Sequence, residues 1–210
     1  MGYDVTFHPV SRDQLKHFVF DVFNDVSVAE SRAAELSNDP EAQEQIVGLY
    51  GQFPEWEEDD EAPFEATFAV AAAAIAGWLH PYWYARGQAL SFMAFEHPEV
   101  AECFTPLPRL ATGRFASLPD DSDGFLGENF TASGFISPDK FDTLTRLVKE
   151  LAAPKFFAQD GLESLHAALG YARAKGLGLL EATDIVVPSA GEFTSNPENL
   201  RAHYLKRMDP

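Results

Sequence analysis

Two spacings in this chain come closest to metal chemistry: Asp121-x-Asp123-Gly124, and His97-x-Glu99 followed by Cys103. A calcium loop of the helix-loop-helix type needs oxygen ligands at its first and twelfth positions. With Asp121 and Asp123 in register, those positions fall on Pro119 and Phe130, which cannot coordinate. The pair therefore reads as an Asp-Gly turn. A zinc deaminase follows its His-x-Glu with two cysteine ligands, and this chain has one cysteine in all. The six histidines, at 8, 17, 80, 97, 166 and 203, include no His-Glu-x-x-His and no pair four apart. Gly-x-Ser-x-Gly and the phosphate-binding loop are both missing. Gly176-x-Gly178 precedes a predicted strand, whereas a dinucleotide fingerprint follows one. Cys103, beside Phe104, reads as a small core residue. Carboxylates are too plentiful for any pair to stand out as acid and base. No cofactor and no metal is expected.

What the residue types do favour is a charged surface. The 210 residues carry a net charge of −18, and it is unevenly placed. Residues 1–62 hold fifteen acids against three bases, residues 63–138 eight against three, and residues 139–210 ten against nine. At the end of the first third stands GQFPEWEEDDEAP, with Trp56 followed by the unbroken run Glu57, Glu58, Asp59, Asp60 and Glu61. One or two of these acids suit the N-terminus of the helix that follows, where the macrodipole favours them. Five in succession exceed that need, and their repulsion is relieved by solvent or by a cationic partner. Residues 51–62 are expected to form an acidic surface loop that binds a basic protein through Glu55, Trp56 and Glu57 to Glu61. Asp120, Asp121 and Asp123 are expected to extend that surface. The plainer reading is a solvated face that keeps the chain soluble. Nucleic acid is disfavoured, because a phosphate backbone is held by clustered Lys and Arg.

The element that should position everything else is the stretch from Pro63 to Phe95. Ala66 to Ala85 contains no charged residue. Phe64, Phe68, Ala71, Ile75, Trp78 and Leu79 recur at helical spacing, and the other face is mostly alanine. This predicts a buried central helix, with a membrane span as the lesser alternative. Residues after Pro81, to Phe95, are predicted to form a second buried helical segment.

Before the central helix the chain reads as a short strand over residues 3–7, closed by Pro9. Helices capped by Ser11 with Gln14, by Ser27 with Glu30, and by Asp39 with Pro40 should follow. Beyond the centre, His97-Pro98 starts a short helix to Phe104. Residues 105–136 look irregular, with short strands near 113–116 and 129–132. Ser137-Pro138 caps a helix to about Ala153. Asp160 with Glu163 caps another that ends at Gly176. A strand over residues 179–187 and a last helix after Asn196-Pro197 complete the chain. The fold class is α+β and helix-rich: a single domain, residues 1–210, around the buried helix, with a small sheet of short strands.

Composition supports a folded cytoplasmic protein. It is 46% hydrophobic with eighteen phenylalanines, the opposite of a disordered chain. The first residues, MGYDVTFHPVSRDQ, lack a basic stretch followed by an apolar one, so no secretory signal is read. The opening Met1-Gly2-Tyr3-Asp4-Val5, with the small α+β body, the acidity and the lack of a catalytic motif, resembles many small acidic bacterial immunity proteins. These sit beside toxins and neutralise them. The resemblance implies a tight inhibitor of a basic toxin domain and transfers no functional residue. An enzyme with a site assembled from scattered carboxylates and histidines is the rival reading. A regulatory subunit that uses its acids only for solubility is the third.

Overall fold

The computed structural model describes residues 3–51, 63–87, 89–111, 131–151 and 159–186, with 195, 196, 198 and 199; from 63 to 69 it describes backbone alone. Five strands form one antiparallel sheet in the order β2-β1-β5-β4-β3: β1 (Tyr3–Val10), β2 (Trp83–Gly87), β3 (Phe104–Thr105), β4 (Thr131–Ile136) and β5 (Gly178–Thr183). β1 extends past the predicted end at Phe7, and Pro9 continues it. β2 stops opposite Phe7, so beyond that point β1 has a neighbour only in β5, where Pro9 faces Leu179. A residue without an N–H is tolerated on such a one-sided flank.

The period-two pattern of the strands sorts the core into two layers. Val5, Phe7, Trp83, Ala85 and Leu179 pack on one face of the sheet, and Val10, Phe135, Leu180 and Ala182 on the other. The second face is covered by four helices. Residues 12–24 form α1, followed by α2 (Ala29–Leu36), α3 (Pro40–Gly51) and α4 (Pro63–Leu79). The first face is covered mainly by α5 (Leu90–Glu96), α6 (Pro98–Ala101), α8 (Phe141–Leu151) and α9 (Gln159–Lys175), while the short α7 (Leu107–Leu110) lies against β4. This is the helix-rich α+β architecture read from the sequence.

α4 is the buried central helix over its described side chains. Ala71 to Ala74 and Ala76 are fully buried and Ile75 is 1% exposed. Alanine is the best helix former, and its single methyl lets the helix lie close against the sheet at interior packing density. Trp78 and Leu79 are half-buried at its end. Phe64 and Phe68 lie outside the described side chains. Residues near the C-terminus close this helix from outside: Ser195 donates to Ala74 O at 3.1 Å, and Asn199 Nδ2 donates to Gly77 O at 2.7 Å. The Gly77 carbonyl belongs to the last turn, whose carbonyls have no partner within the helix, whereas that of Ala74 lies a turn earlier and takes the serine as an additional donor. A Cβ on Gly77 would overlap the Ser195 side chain.

Several local readings are corrected. The segment after Pro81 is not one helix. Residues 83–87 are the edge strand β2, with Trp83 and Ala85 inward and Arg86 exposed. A run without charge concealed that alternation. The Ser11–Gln14 capping box forms, and Asp39 accepts from Glu41 N. Ser27 does not cap a helix with Glu30, because Asp25 takes both its N–H and its hydroxyl, at 3.0 and 2.6 Å; α2 begins only after this 3-10 turn. Ser137 likewise gives its hydroxyl to Asp139 and leaves the following helix uncapped by a side chain. α9 starts at Gln159, so Asp160 falls inside its first turn. Its end is as read: Gly176 has φ +68° and, with Leu177, returns N–H bonds to Arg173 and Ala172, the Schellman pattern. Of the two strands expected in 105–136, one is β4 at Thr131–Ile136, and the other, near 113–116, lies outside the described residues.

Candidate functional site

Glu55, Trp56, Glu57, Glu58, Asp59, Asp60, Glu61, Asp120, Asp121 and Asp123 all lie outside the described residues. What is described is the helical layer that leads to the acidic run. From residue 11 to 51, helices α1 to α3 carry eight acids and three bases. Lys16 is paired with Asp21 at 2.7 Å, and Arg32 with Glu35 at 2.6 Å. Asp13, Asp25, Glu30, Asp39, Glu41 and Glu44 are exposed and form no ion pair among the described residues. The outer surface of this layer is therefore net negative: two of its three cations are ion-paired, and the third, Arg12, lies over the Phe135 ring, 5.4 Å from its centroid.

Within that layer α1 has a feature that the sequence did not signal. Lys16–Phe20 forms a π-helical turn between the α-helical turns Arg12–Leu15 and Asp21–Asn24. Such turns release carbonyls from the regular ladder. The Phe18 carbonyl accepts the buried hydroxyl of Tyr50 on α3 at 2.7 Å, and the Phe20 carbonyl accepts Asn24 Nδ2. An open depression of about 410 Å³ lies over this turn, lined by Asp13, Gln14, Lys16, His17, Phe18 and Asp21. At its rim His17 Nε2 is 2.8 Å from Glu35 Oε2. That bond, with the help of Arg32, holds the Glu35 carboxyl below its ordinary value. An imidazole oriented by a carboxylate has the form of a general base. Here it faces solvent with no nucleophile bonded to it among the described residues, and exposed pairs of this kind contribute little.

Buried polar groups sit deeper, on the sheet. His8 is fully buried on β1; it stacks on Tyr82 at 4.8 Å between centroids and bonds Thr6 through Nε2 at 2.8 Å. Burial lowers its pKa to about 3, so it is neutral throughout the physiological range. On the opposite face Glu181 is also fully buried, and its carboxylate accepts the N–H of Leu90 at 2.6 Å and of Ser91 at 3.0 Å. It thus caps α5 from a neighbouring strand. Two findings bear on the sequence reading of Asp4 and Cys103. Asp4, in the opening quoted for the immunity resemblance, exchanges backbone and side-chain bonds with Asp184 and accepts the Tyr84 hydroxyl. Cys103 is a core residue, 2% exposed, with its thiol pKa raised by burial. Among the described residues no three His, Cys, Asp or Glu side chains come together to hold a metal, and no helix is long and apolar enough to cross a membrane.

His8 gives a pH dependence with a definite sign. The unfolded chain binds a proton on this imidazole below its ordinary value of 6.5, whereas the folded chain resists until about 3. Stability is complete above the upper value and falls as pH drops through that window, by up to about 1.4 kcal/mol per pH unit from this group. Urea unfolding at pH 4, 5, 6 and 7 should show that slope. His8→Phe should flatten it by one proton's worth, and an unchanged slope in the variant would assign the dependence elsewhere.

One exposed feature lies across the sheet from the acidic helices. Phe95, in the last turn of α5, is 77% exposed, and Glu96, Glu99 and Glu102, which follow it in the chain, are exposed as well. Compared with family models, curated proteins and solved structures, the chain matches none.

Proposed function

We propose that the chain is a binding protein of the immunity type, which neutralises a basic toxin domain through its acidic surface. The observation that carries this is the polarity of charge. The first 62 residues are net −12 and the last 72 net −1, and six of the eight acids between residues 11 and 51 lie exposed with no ion pair among the described residues. These six are Asp13, Asp25, Glu30, Asp39, Glu41 and Glu44, since Asp21 and Glu35 hold Lys16 and Arg32. A field of one sign raises the encounter rate with an oppositely charged surface and rejects partners of like charge. Trp56, at the head of the acidic run, supplies the large apolar contact that such a surface needs for a long-lived complex.

The test is a capture experiment with the purified chain in cells of its source. It should retain a basic protein stoichiometrically and leave nucleic acid behind. With that partner in hand, Trp56→Ala should raise the dissociation rate about tenfold or more, corresponding to about 1.4 kcal/mol of lost contact. The increase should persist at all salt concentrations, because buried contact is not screened. A captured partner that is acidic, or a Trp56→Ala protein that dissociates at the parent rate, would refute the reading.

A further inference from the structure

We infer a second docking face for a basic protein, centred on Phe95 and built from α5 and α6. The inference rests on the reading of the chain as a binder of basic partners. It adds a contact on the opposite side of the sheet from the acidic helices. α5 buries Leu90, Met93 and Ala94 in the core and leaves Phe92 half-buried. Phe95 lies one turn beyond Phe92 and projects into solvent. Val26 and Phe95 are the exposed large hydrophobic residues among those described, and Phe95 is much the more exposed, at 77% against 45%. An aromatic ring so placed leaves most of its apolar area in water, which a covering partner would remove at about 25 cal/mol per Å².

The rim of this face indicates what covers it. Residues 87–108 contain no Lys or Arg. Glu96, Glu99 and Glu102 are exposed, and only Glu99 has a described partner, His97 at 3.7 Å. The bases felt by nearby Cys103 are Lys140 and Arg146, and Arg146 is already paired with Glu150. A second copy of the chain is a poor occupant, since a two-fold contact would bring the three glutamates against their own images on molecules of net charge −18. An anionic membrane or nucleic acid would be repelled by the same groups. The occupant that fits is a protein surface with Lys or Arg around an apolar recess, the recess taking the ring and the cations taking the rim.

The test places photoreactive benzoylphenylalanine at position 95 in one chain and at position 56 in another, each expressed in the source cells and irradiated. The exposure of position 95 leaves the inner face of α5 untouched, and circular dichroism verifies the fold. From position 95 the expected product is a cross-link to a basic protein. It should fall at least tenfold when Glu96→Gln, Glu99→Gln and Glu102→Gln are introduced together. A cross-link from position 56 but none from 95 overturns this inference and leaves the proposed function standing. The reverse supports this face and removes the acidic run as the binding surface. A cross-link from 95 to a second copy, to an acidic protein, or with unchanged yield in the triple variant overturns the inference. No cross-link from either position ends both.

Discussion

Replacing Ile75 with aspartate is expected to leave a chain with no cooperative unfolding transition. Ile75 is 1% exposed on the central helix, and the described side chains on either side of it, Ala71 to Ala74 and Ala76, are fully buried. The residues clustered with it are aliphatic and aromatic, among them Val19, Phe20, Ile46 and Leu180. A carboxylate placed there loses its hydration and gains no partner, which costs several kcal/mol even after relaxation. The whole stability of a domain is about 5–15 kcal/mol, so this one change consumes much of it. Ile75→Val, which removes only a methylene, should cost about 1 kcal/mol and preserve the transition. Far-UV circular dichroism in a urea series separates the two. An aspartate variant that unfolds cooperatively near the parent midpoint would show that the helix is not the centre of the core.

Gly178→Ala should be the most damaging single methyl in the sheet, with a loss of about 3 kcal/mol. Gly178 opens β5 opposite Val10. A Cβ there would overlap the ring of Phe135 and come within 2.8 Å of the Ile136 carbonyl. Phe135 is fully buried on β4 and cannot swing aside, and the carbonyl belongs to the backbone of the same strand. Phe135→Ala alone should cost about 3–5 kcal/mol through the cavity it leaves. Combined with Gly178→Ala the loss should be smaller than the sum, because the new methyl enters vacated space. Strict additivity in the double variant would mean that the ring does not lie over the glycine.

How much of this was legible depends on whether a residue's neighbours in sequence are also its neighbours in space. The Ser11–Gln14 box, the Asp39-Pro40 start and the Gly176 stop are local chemistry, and each formed where the sequence placed it. The central helix was legible because a charge-free run of alanines has few homes besides an interior. The same absence of charge hid β2, since Tyr82 to Ala85 gave no polar residue to mark the alternation. The π turn had no signal at all: the hydroxyl that satisfies its carbonyl comes from Tyr50, thirty-two positions away. Nothing local marks Glu181 for burial, since the N–H groups that its carboxylate accepts, on Leu90 and Ser91, lie about ninety positions away. Phe95 could have been noticed, because it falls beside Glu96 on the outer side of a helix whose inner residues are Leu90, Met93 and Ala94. The acidic residues nominated for binding are chosen by composition, which names a chemistry without fixing a geometry.

The claim that those acids attract a basic partner rests most directly on the association rate. Glu57, Glu58, Asp59 and Asp60 are to be replaced together by Ser or Asn, and binding to the captured partner followed by stopped flow across a salt series. Like charges in succession repel in the free chain, so the variant should be as stable as the parent or slightly more so. At low salt its association should be slower by about tenfold or more, with dissociation nearly unchanged. The two proteins should converge as ionic strength approaches about 1 M, where the screening length is about 3 Å. Equal association rates at low salt would contradict the account and leave the acidic run as a solvated segment.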